Sequence, residues 1–228
     1  MSRRRRILLG VAALVLLAGG FVAFQLRPMF AVRTDVVSIQ SAPEYQDAAL
    51  MRRAFSLPVA AAYQKSLLFQ SNPSACGPTS IANVARTLGE TGATARGVTD
   101  GTGHCPLGIC MGGLTLDEVA EVVRKHPGRR AEVFRDLTLA GFRTRLADCN
   151  DPSKRCLVNF DRGALFGRGG GHHSPIGGYL AAENLVLVMD VNAHYRPWLV
   201  RTERLLAAMN TQDLSTGKSR GMVVIQGN

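Results

Sequence analysis

Cys76 lies in Ser74-Ala-Cys-Gly-Pro-Thr79, just ahead of a segment that Pro78 is suited to open as a helix, because its missing N–H is not needed in the first turn. A thiol at a helix N-terminus faces the positive end of the helix dipole and free backbone N–H groups, which stabilise a thiolate. The same amides can stabilise the oxyanion that forms when a thiolate attacks a carbonyl. Gln70, upstream of Cys76, offers a side-chain donor to such a hole. Taken alone, this stretch fits a buried structural cysteine beside a packing glutamine equally well.

A reactive cysteine needs a base that is itself oriented by an acid. The string Gly171-His-His-Ser-Pro-Ile-Gly-Gly-Tyr179 enters an apolar strand, the chain turns near Ala181–Glu183, and Leu185-Val-Leu-Val-Met-Asp190 returns. With the turn centred on Ala182, Ser174 faces Asp190 and His172 is its diagonal neighbour on the same face. Diagonal pairs stand about 7–8 Å apart at Cα, close enough for imidazole and carboxylate to meet. A register slip of one residue would put His173 on that face instead. Strand geometry therefore leaves His172 and His173 both open, and Asp190 as a mere strand-end cap with surface histidines is the bland alternative.

The compartment matters for the remaining thiols. Arg3, Arg4, Arg5 and Arg6 precede an uncharged apolar run over residues 7–24. Roughly 18 apolar residues is the lower limit for a membrane-spanning helix. Basic residues ahead of such a run keep the N-terminus cytoplasmic, so the chain beyond it is expected outside. A cleaved signal peptide, with small residues at Ala18-Gly19-Gly20, is the close rival, and the arginine run also resembles a twin-arginine signal. The expected organisation is a basic stretch plus anchor or signal peptide over residues 1–31 and a catalytic domain over residues 32–228. The location is periplasmic as a single-pass anchor, or secreted after cleavage.

In an oxidising compartment five cysteines leave one without a partner. Cys105 and Cys110 are close in sequence, as are Cys149 and Cys156, so Cys76 is the residue left over, although four cysteines permit three connectivities. A metal site built from Cys105-Pro-Leu-Gly-Ile-Cys110 lacks a second pair at zinc-ribbon spacing. The net charge of +10 includes the N-terminal arginines, and no compact basic cluster with interleaved aromatics follows residue 33, so a nucleic-acid partner is not expected.

These residues need elements to hold them. Ile81, Val84, Ala85 and Leu88 recur at helical spacing after Cys76. Thr115-Leu-Asp-Glu118 has the capping-box pattern, and Leu116, Val119, Ala120 and Val123 form an apolar stripe behind it. Further helices are expected over 137–147 and 202–209, with some helical character over 44–54. Residues 156–160, 175–180, 184–191 and 221–226 read as strands rich in Val, Leu and Ile. Helices followed by a largely antiparallel sheet make an α+β domain. The Gly-rich stretch 167–171 reads as a flexible approach to His172, not a phosphate loop.

Gln70 with Cys76, then Gly-His-His-Ser-Pro-Ile-Gly-Gly-Tyr, then Val188-Met-Asp-Val191, then Leu214-Ser-Thr-Gly-Lys-Ser-Arg-Gly221, resembles the catalytic domain of phytochelatin synthases over roughly residues 55–227. The resemblance implies a papain-like α+β fold, with a helical half carrying the nucleophile packed on an antiparallel sheet carrying histidine and aspartate. It implies Cys76 as nucleophile, His172 as base, Asp190 as its carboxylate and Gln70 in the oxyanion hole, with His173 at a variable position. It further implies an attack on the Cys–Gly amide of glutathione, release of glycine, and a γ-glutamylcysteinyl thioester that passes to water or to a second glutathione. No cofactor is required, and cadmium or zinc would enter only as thiolate complexes of the substrate. The stretch after Asp190 is shorter than the family's usual form and lacks its closely following arginine, for which Arg196 is a candidate substitute. The cysteines do not form the Cys-rich C-terminal region of the plant enzymes, so the resemblance implies the short architecture of bacterial members, and hydrolysis is expected to dominate.

Two other readings stand beside this one. A cysteine with an upstream glutamine also resembles peptidases that trim double-glycine leader peptides, whose histidine context lacks Ser-Pro-Ile-Gly-Gly-Tyr. An exported thiol or metal-binding module without turnover would use the Cys105/Cys110 motif and the adjacent histidines as ligands.

Overall fold

The computed structural model describes residues 4–5, 8–10, 12–17, 19–20, 32–108 and 110–227. The anchor or signal expected over residues 1–31 therefore falls partly outside the described residues. Among those described, no helix is long and apolar enough to cross a membrane.

The chain from residue 32 onward builds one six-stranded antiparallel sheet with helices on both faces. The strands are β1 (Arg130–Phe134), β2 (Lys154–Asp161), β3 (Gly171–Leu180), β4 (Leu185–Val188), β5 (Trp198–Arg201) and β6 (Gly221–Gln226), in the order β1-β6-β2-β3-β4-β5. The helices are α1 (Ala48–Phe55), α2 (Pro58–Gln64), α3 (Cys76–Thr87), α4 (Leu116–Lys125), α5 (Leu139–Asp148), α6 (Arg162–Phe166) and α7 (Thr202–Met209). Successive strand residues point to opposite faces. Leu157, Leu187, Leu199 and Val223 accordingly join one core with Ile81, Val84, Val119 and Val123 from α3 and α4. Their neighbours Val158, Val188, Trp198 and Met222 join a second core with Phe142 and Leu146 of α5 and Leu205 and Met209 of α7. Burial on both sides explains why these strands read as continuous apolar runs instead of alternating ones.

The α+β architecture expected from the sequence is the one observed, a helix with Cys76 at its start lying against the sheet that bears His172 and Asp190. The Thr115 capping box is formed: the Thr115 hydroxyl accepts from the Glu118 amide and the Glu118 carboxylate accepts from the Thr115 amide. Helix α1 falls where some helical character is expected over 44–54, and α2 follows it unannounced. Strands β1 and β5 go unrecognised in the sequence, because Arg130-Ala-Glu-Val-Phe134 carries two charges and β5 is only four residues long.

The β3–β4 hairpin decides which histidine meets Asp190. Leu180 pairs with Leu185, Tyr179 with Val186 and Gly178 with Leu187, which is one residue off the register expected from a turn centred on Ala182. Continued unbroken, that ladder would bring His173 to the face of Asp190. It does not continue: Ile176 pairs with Val188, leaving Gly177 as the extra residue of a β-bulge. Past the bulge the ladder runs in the expected register, with the Met189 amide donating to the Pro175 carbonyl at 2.8 Å. A Cβ at Gly177 would lie 2.8 Å from Met189 Sδ and 2.9 Å from Leu187 Cδ2, so any other residue in the bulge must displace these two buried side chains.

Residues 32–46 form a strap over the other end of the sheet. Ile39 is buried, the Arg33 amide donates to the Gly167 carbonyl, and the Leu199 amide of edge strand β5 donates to the Tyr45 carbonyl at 2.8 Å. Covering an edge in this way removes unpaired backbone donors and acceptors from solvent.

Candidate active site

The segment that delivers the cysteine is pinned before it reaches the helix. The Asn83 side chain of α3 accepts from the Leu68 amide at 2.7 Å and donates to the Leu68 carbonyl at 2.9 Å. The Gln70 amide donates to the Val191 carbonyl at 2.8 Å, so this segment is tied to the residue after Asp190. Asn72 then caps a 3-10 turn over Pro73–Ala75, and α3 begins at Cys76 with no side chain capping it. Its first amides are thus left for a ligand. Gly77 lets this helix start approach Leu114 closely, since a Cβ there would sit 3.2 Å from Leu114 Cβ.

Cys76 is buried and is the free cysteine among the described residues, because Cys105 bonds Cys110 and Cys149 bonds Cys156. Burial would raise the thiol, but the hydrogen bond and positive charge of His172, the backbone of His173 and the charge of Arg162 bring it below its ordinary value. His172 uses Nε2 for the carboxylate of Asp190, at 2.8 Å from Oδ1, with both side chains wholly buried. That bond assigns the proton to Nε2 and leaves Nδ1, buried and without a hydrogen-bond partner, as the nitrogen available to exchange a proton with the thiol. Burial alone would lower His172, whereas the charge and hydrogen bond of Asp190, then the thiol, raise it to about 9. Burial would raise Asp190; the His172 charge and hydrogen bonds from His172, the Asn192 amide and the Trp198 indole hold it below the ordinary carboxylate value. The result is a site that favours thiolate and imidazolium together, fixed by a carboxylate behind the ring.

Gln70 stands near this group with its side chain otherwise engaged: Nε2 donates to the Asn72 carbonyl at 2.9 Å, and Oε1 is buried without a partner. One amide hydrogen remains for a developing oxyanion. His173 points to the opposite face of β3. Its Nε2 lies 2.8 Å from the Leu114 carbonyl, and Asn159 Nδ2 approaches its ring, at 2.8 Å from Nε2 and 3.3 Å from Nδ1. With Nε2 donating to Leu114, Nδ1 is the nitrogen that accepts from Asn159. Burial lowers His173 to about 4, so it stays neutral at neutral pH and ties β2 and β3 to the loop before α4.

Three residues of this environment escape a reading of the sequence. Trp198 donates from Nε1 to Asp190 Oδ2 at 2.9 Å; the available signal is a lone tryptophan whose N–H needs an acceptor when buried. Asn159 is the one polar amide within the apolar run 156–160 of β2. Arg162 follows that strand and adds positive potential at the thiol. The Cys105–Cys110 motif is closed as a disulfide, and no group of three or more His, Cys, Asp or Glu side chains among the described residues is arranged to hold a metal ion. Arg196 adopts a left-handed backbone after Asp190, at φ 56°, and takes no part in the hydrogen bonds of the site.

Comparison with known proteins gives the same family that the motifs suggest. The family model described as phytochelatin synthase matches residues 46–222. Glutathione gamma-glutamylcysteinyltransferase 3 of Lotus japonicus is 38% identical over 121 residues, which is 51% of this chain and 25% of that protein. Glutathione gamma-glutamylcysteinyltransferase 1 of Arabidopsis thaliana is 38% identical over 103 residues, 43% of this chain and 21% of that protein. The aligned segment thus spans about a quarter of these relatives or less. Among solved structures, the peptidase domain of Streptococcus ComA, a bi-functional ABC transporter involved in a quorum-sensing pathway, aligns with a TM-score of 0.49 and 16% identity over 71% of this chain and 98% of that domain.

Proposed function

The chain belongs to the phytochelatin synthase family, and we propose that it cleaves glycine from glutathione, or from a related γ-glutamylcysteine peptide, through a thioester on Cys76. The observation that carries this reading is the buried arrangement of one free thiol, His172 and Asp190 at an uncapped helix start. In the first half-reaction Cys76 Sγ attacks the cysteinyl carbonyl of the Cys–Gly amide. The oxyanion is met by the first amides of α3 and the remaining hydrogen of Gln70 Nε2. As the C–N bond breaks, His172 gives its Nδ1 proton to the departing glycine nitrogen, leaving an acyl thioester and a neutral imidazole. In the second half-reaction His172 takes a proton from the attacking water or from the α-amine of a second glutathione. The C–S bond then breaks and the thiolate–imidazolium pair is restored. Asp190 holds the ring throughout. Arg162 gives the site a positive potential suited to a peptide with free carboxylates.

Two disulfides among the described residues fit an oxidising compartment, and the apolar run over residues 7–24 fits passage into or through a membrane, with the domain on the far side. Cadmium or zinc would act on the reaction as complexes with the substrate thiol, not as a resident ion.

The test is incubation with reduced glutathione, with and without cadmium, beside a Cys76→Ser control, followed by mass spectrometry. Glycine with γ-glutamylcysteine alone makes the chain a hydrolase; (γ-Glu-Cys)2-Gly makes it a synthase. Absence of any Cys76-dependent product overturns the glutathione assignment.

A further inference from the structure

Asp190 has an anchor besides the backbone and His172, and it leads away from the family-matched segment. Trp198, the single tryptophan of the chain, is fully buried and donates from Nε1 to Asp190 Oδ2 at 2.9 Å. Phe160 and Phe166 meet its ring edge-on, with centroids 5.7 and 5.6 Å away, and Phe160 also lies edge-on to His172 at 5.5 Å. The remaining wall is Tyr45, stacked on the indole at 6.4 Å and 14°. Tyr45 is on the strap of residues 32–46, which precedes the family match at residues 46–222 but for one residue. The strap grips both segments that flank the site. On one side the Tyr45 carbonyl accepts from Leu199, and Gln46 Nε2 donates to the carbonyls of Tyr195 and Pro197. On the other, the Arg33 amide donates to the Gly167 carbonyl, four residues before the start of β3.

We propose that Trp198 is a positioning residue for the Asp190–His172 pair, and that Tyr45 on the strap fixes the plane of its indole. A carboxylate bonded through one oxygen can still swing about its terminal torsion, which is broad and soft. A donor on the other oxygen removes that freedom, as outer-shell partners do for catalytic and metal-bound histidines. A fixed carboxylate stabilises the imidazolium, which in turn keeps Cys76 ionised. The strap thereby makes the geometry of the site depend on a segment that lies next to the N-terminal apolar run.

This rests on reading Cys76 as the nucleophile, so the test uses its chemical reactivity as well as turnover. The rate of Cys76 alkylation by iodoacetamide is followed by mass spectrometry between about pH 5 and pH 10. It is measured on the full chain and on its Trp198→Phe, Asp190→Asn and doubly substituted forms. The other ionisable groups near enough to act on the site by charge are Arg162, Tyr45 and, from the opposite face of β3, His173, unchanged in all four proteins. Trp198→Phe keeps an aromatic ring, though a smaller one, and removes the donor; its alkylation near pH 6 falls about 10-fold, and the thiolate midpoint moves upward. The doubly substituted protein matches Asp190→Asn within about twofold, because Trp198 acts through that carboxylate. Alkylation of Trp198→Phe within about twofold of the parent, or an effect that adds fully to Asp190→Asn, overturns the positioning role. Should Trp198→Phe fail to fold, Tyr45→Leu gives the same decision: a fall that vanishes in the Asp190→Asn background supports the role, and parental behaviour ends it. Expected alkylation without glutathione turnover overturns the substrate assignment alone.

Discussion

His172 Nε2 meets Asp190 Oδ1 at 2.8 Å because one unpaired glycine lies between the turn and the two residues. The hairpin leaves its turn in the register that would favour His173, and the bulge at Gly177 advances β3 by one residue before the ladder reaches the pair. Replacing Gly177 by alanine drives a methyl into Met189 and Leu187, both fully buried. Overpacking of this kind costs about 1–3 kcal/mol. The bulge relaxes by moving β3 against β4, so the loss in kcat should exceed what the lowered stability explains. Glutathione turnover at saturation, beside a denaturant melt, checks both effects. An unchanged kcat would mean that the register is held elsewhere.

The pH dependence follows from the directions of the shifts. Cys76 ionises below its ordinary value and His172 keeps its proton up to about 9. The thiolate–imidazolium pair therefore occupies the window between them, and turnover should fall on the alkaline side as pH passes about 9. Since the folded value of His172 is raised above 6.5, its contribution to stability is fully present below pH 6.5 and is lost as pH rises through about 9. Asp190→Asn removes the group that raises His172, so the alkaline limb moves to lower pH while the thiol titrates higher. A pH–rate profile of kcat for parent and variant reads both limbs.

Two adjacent histidines, both buried, have opposite protonation and separate work. His172→Ala removes proton transfer to the leaving amine and should reduce kcat by at least about a thousandfold even at a temperature where it stays folded, although leaving Asp190 buried without its cationic partner lowers stability too. His173→Ala removes the donor to the Leu114 carbonyl and the link to Asn159, leaving buried polar groups unsatisfied at a cost of about 1–3 kcal/mol. Its main effect is on the melting temperature, and at a temperature where it remains folded its kcat stays within about tenfold of the parent. Reversal of these two patterns would exchange the histidines' roles.

The parts of the site that a sequence carries well are those set by local rules. Pro78 falls in the first turn of α3, two residues after Cys76, Thr115 and Glu118 cap α4, and the apolar run of β6 is bounded as expected. The four cysteines pair with their near neighbours, one of the three connectivities that the sequence leaves open. What the sequence conceals is set by contacts between distant segments. Nothing near Tyr45 announces that it will stack on Trp198, and nothing in Gly177-Gly178 says which glycine is the bulge. The choice between His172 and His173 depends on that bulge, so strand periodicity leaves it open and only the family motif favours one. Strand β1 escapes because Arg130 and Glu132 lie on the exposed side of a sheet edge, where burial imposes no apolar pattern.

The disulfides offer the last prediction, and they separate an enzyme from a thiol-binding module. Titration of the unreduced, denatured chain should find one reactive thiol, and Cys76→Ser should leave none. Three or more would restore the metal-binding alternative. Each bridge closes a short loop, worth about 2–3 kcal/mol by loop-closure entropy. The two should nevertheless differ in effect. Cys149 and Cys156 are fully buried beside Phe142 and Val158, so replacing both by alanine costs packing as well and mainly lowers stability. Cys110 begins the loop that reaches Leu114, whose carbonyl holds His173 and whose side chain rests against Gly77. Replacing Cys105 and Cys110 should therefore slow alkylation of Cys76 by about threefold or more, at a temperature where the protein stays folded. Parental alkylation in that variant would show that the loop is held without its bridge.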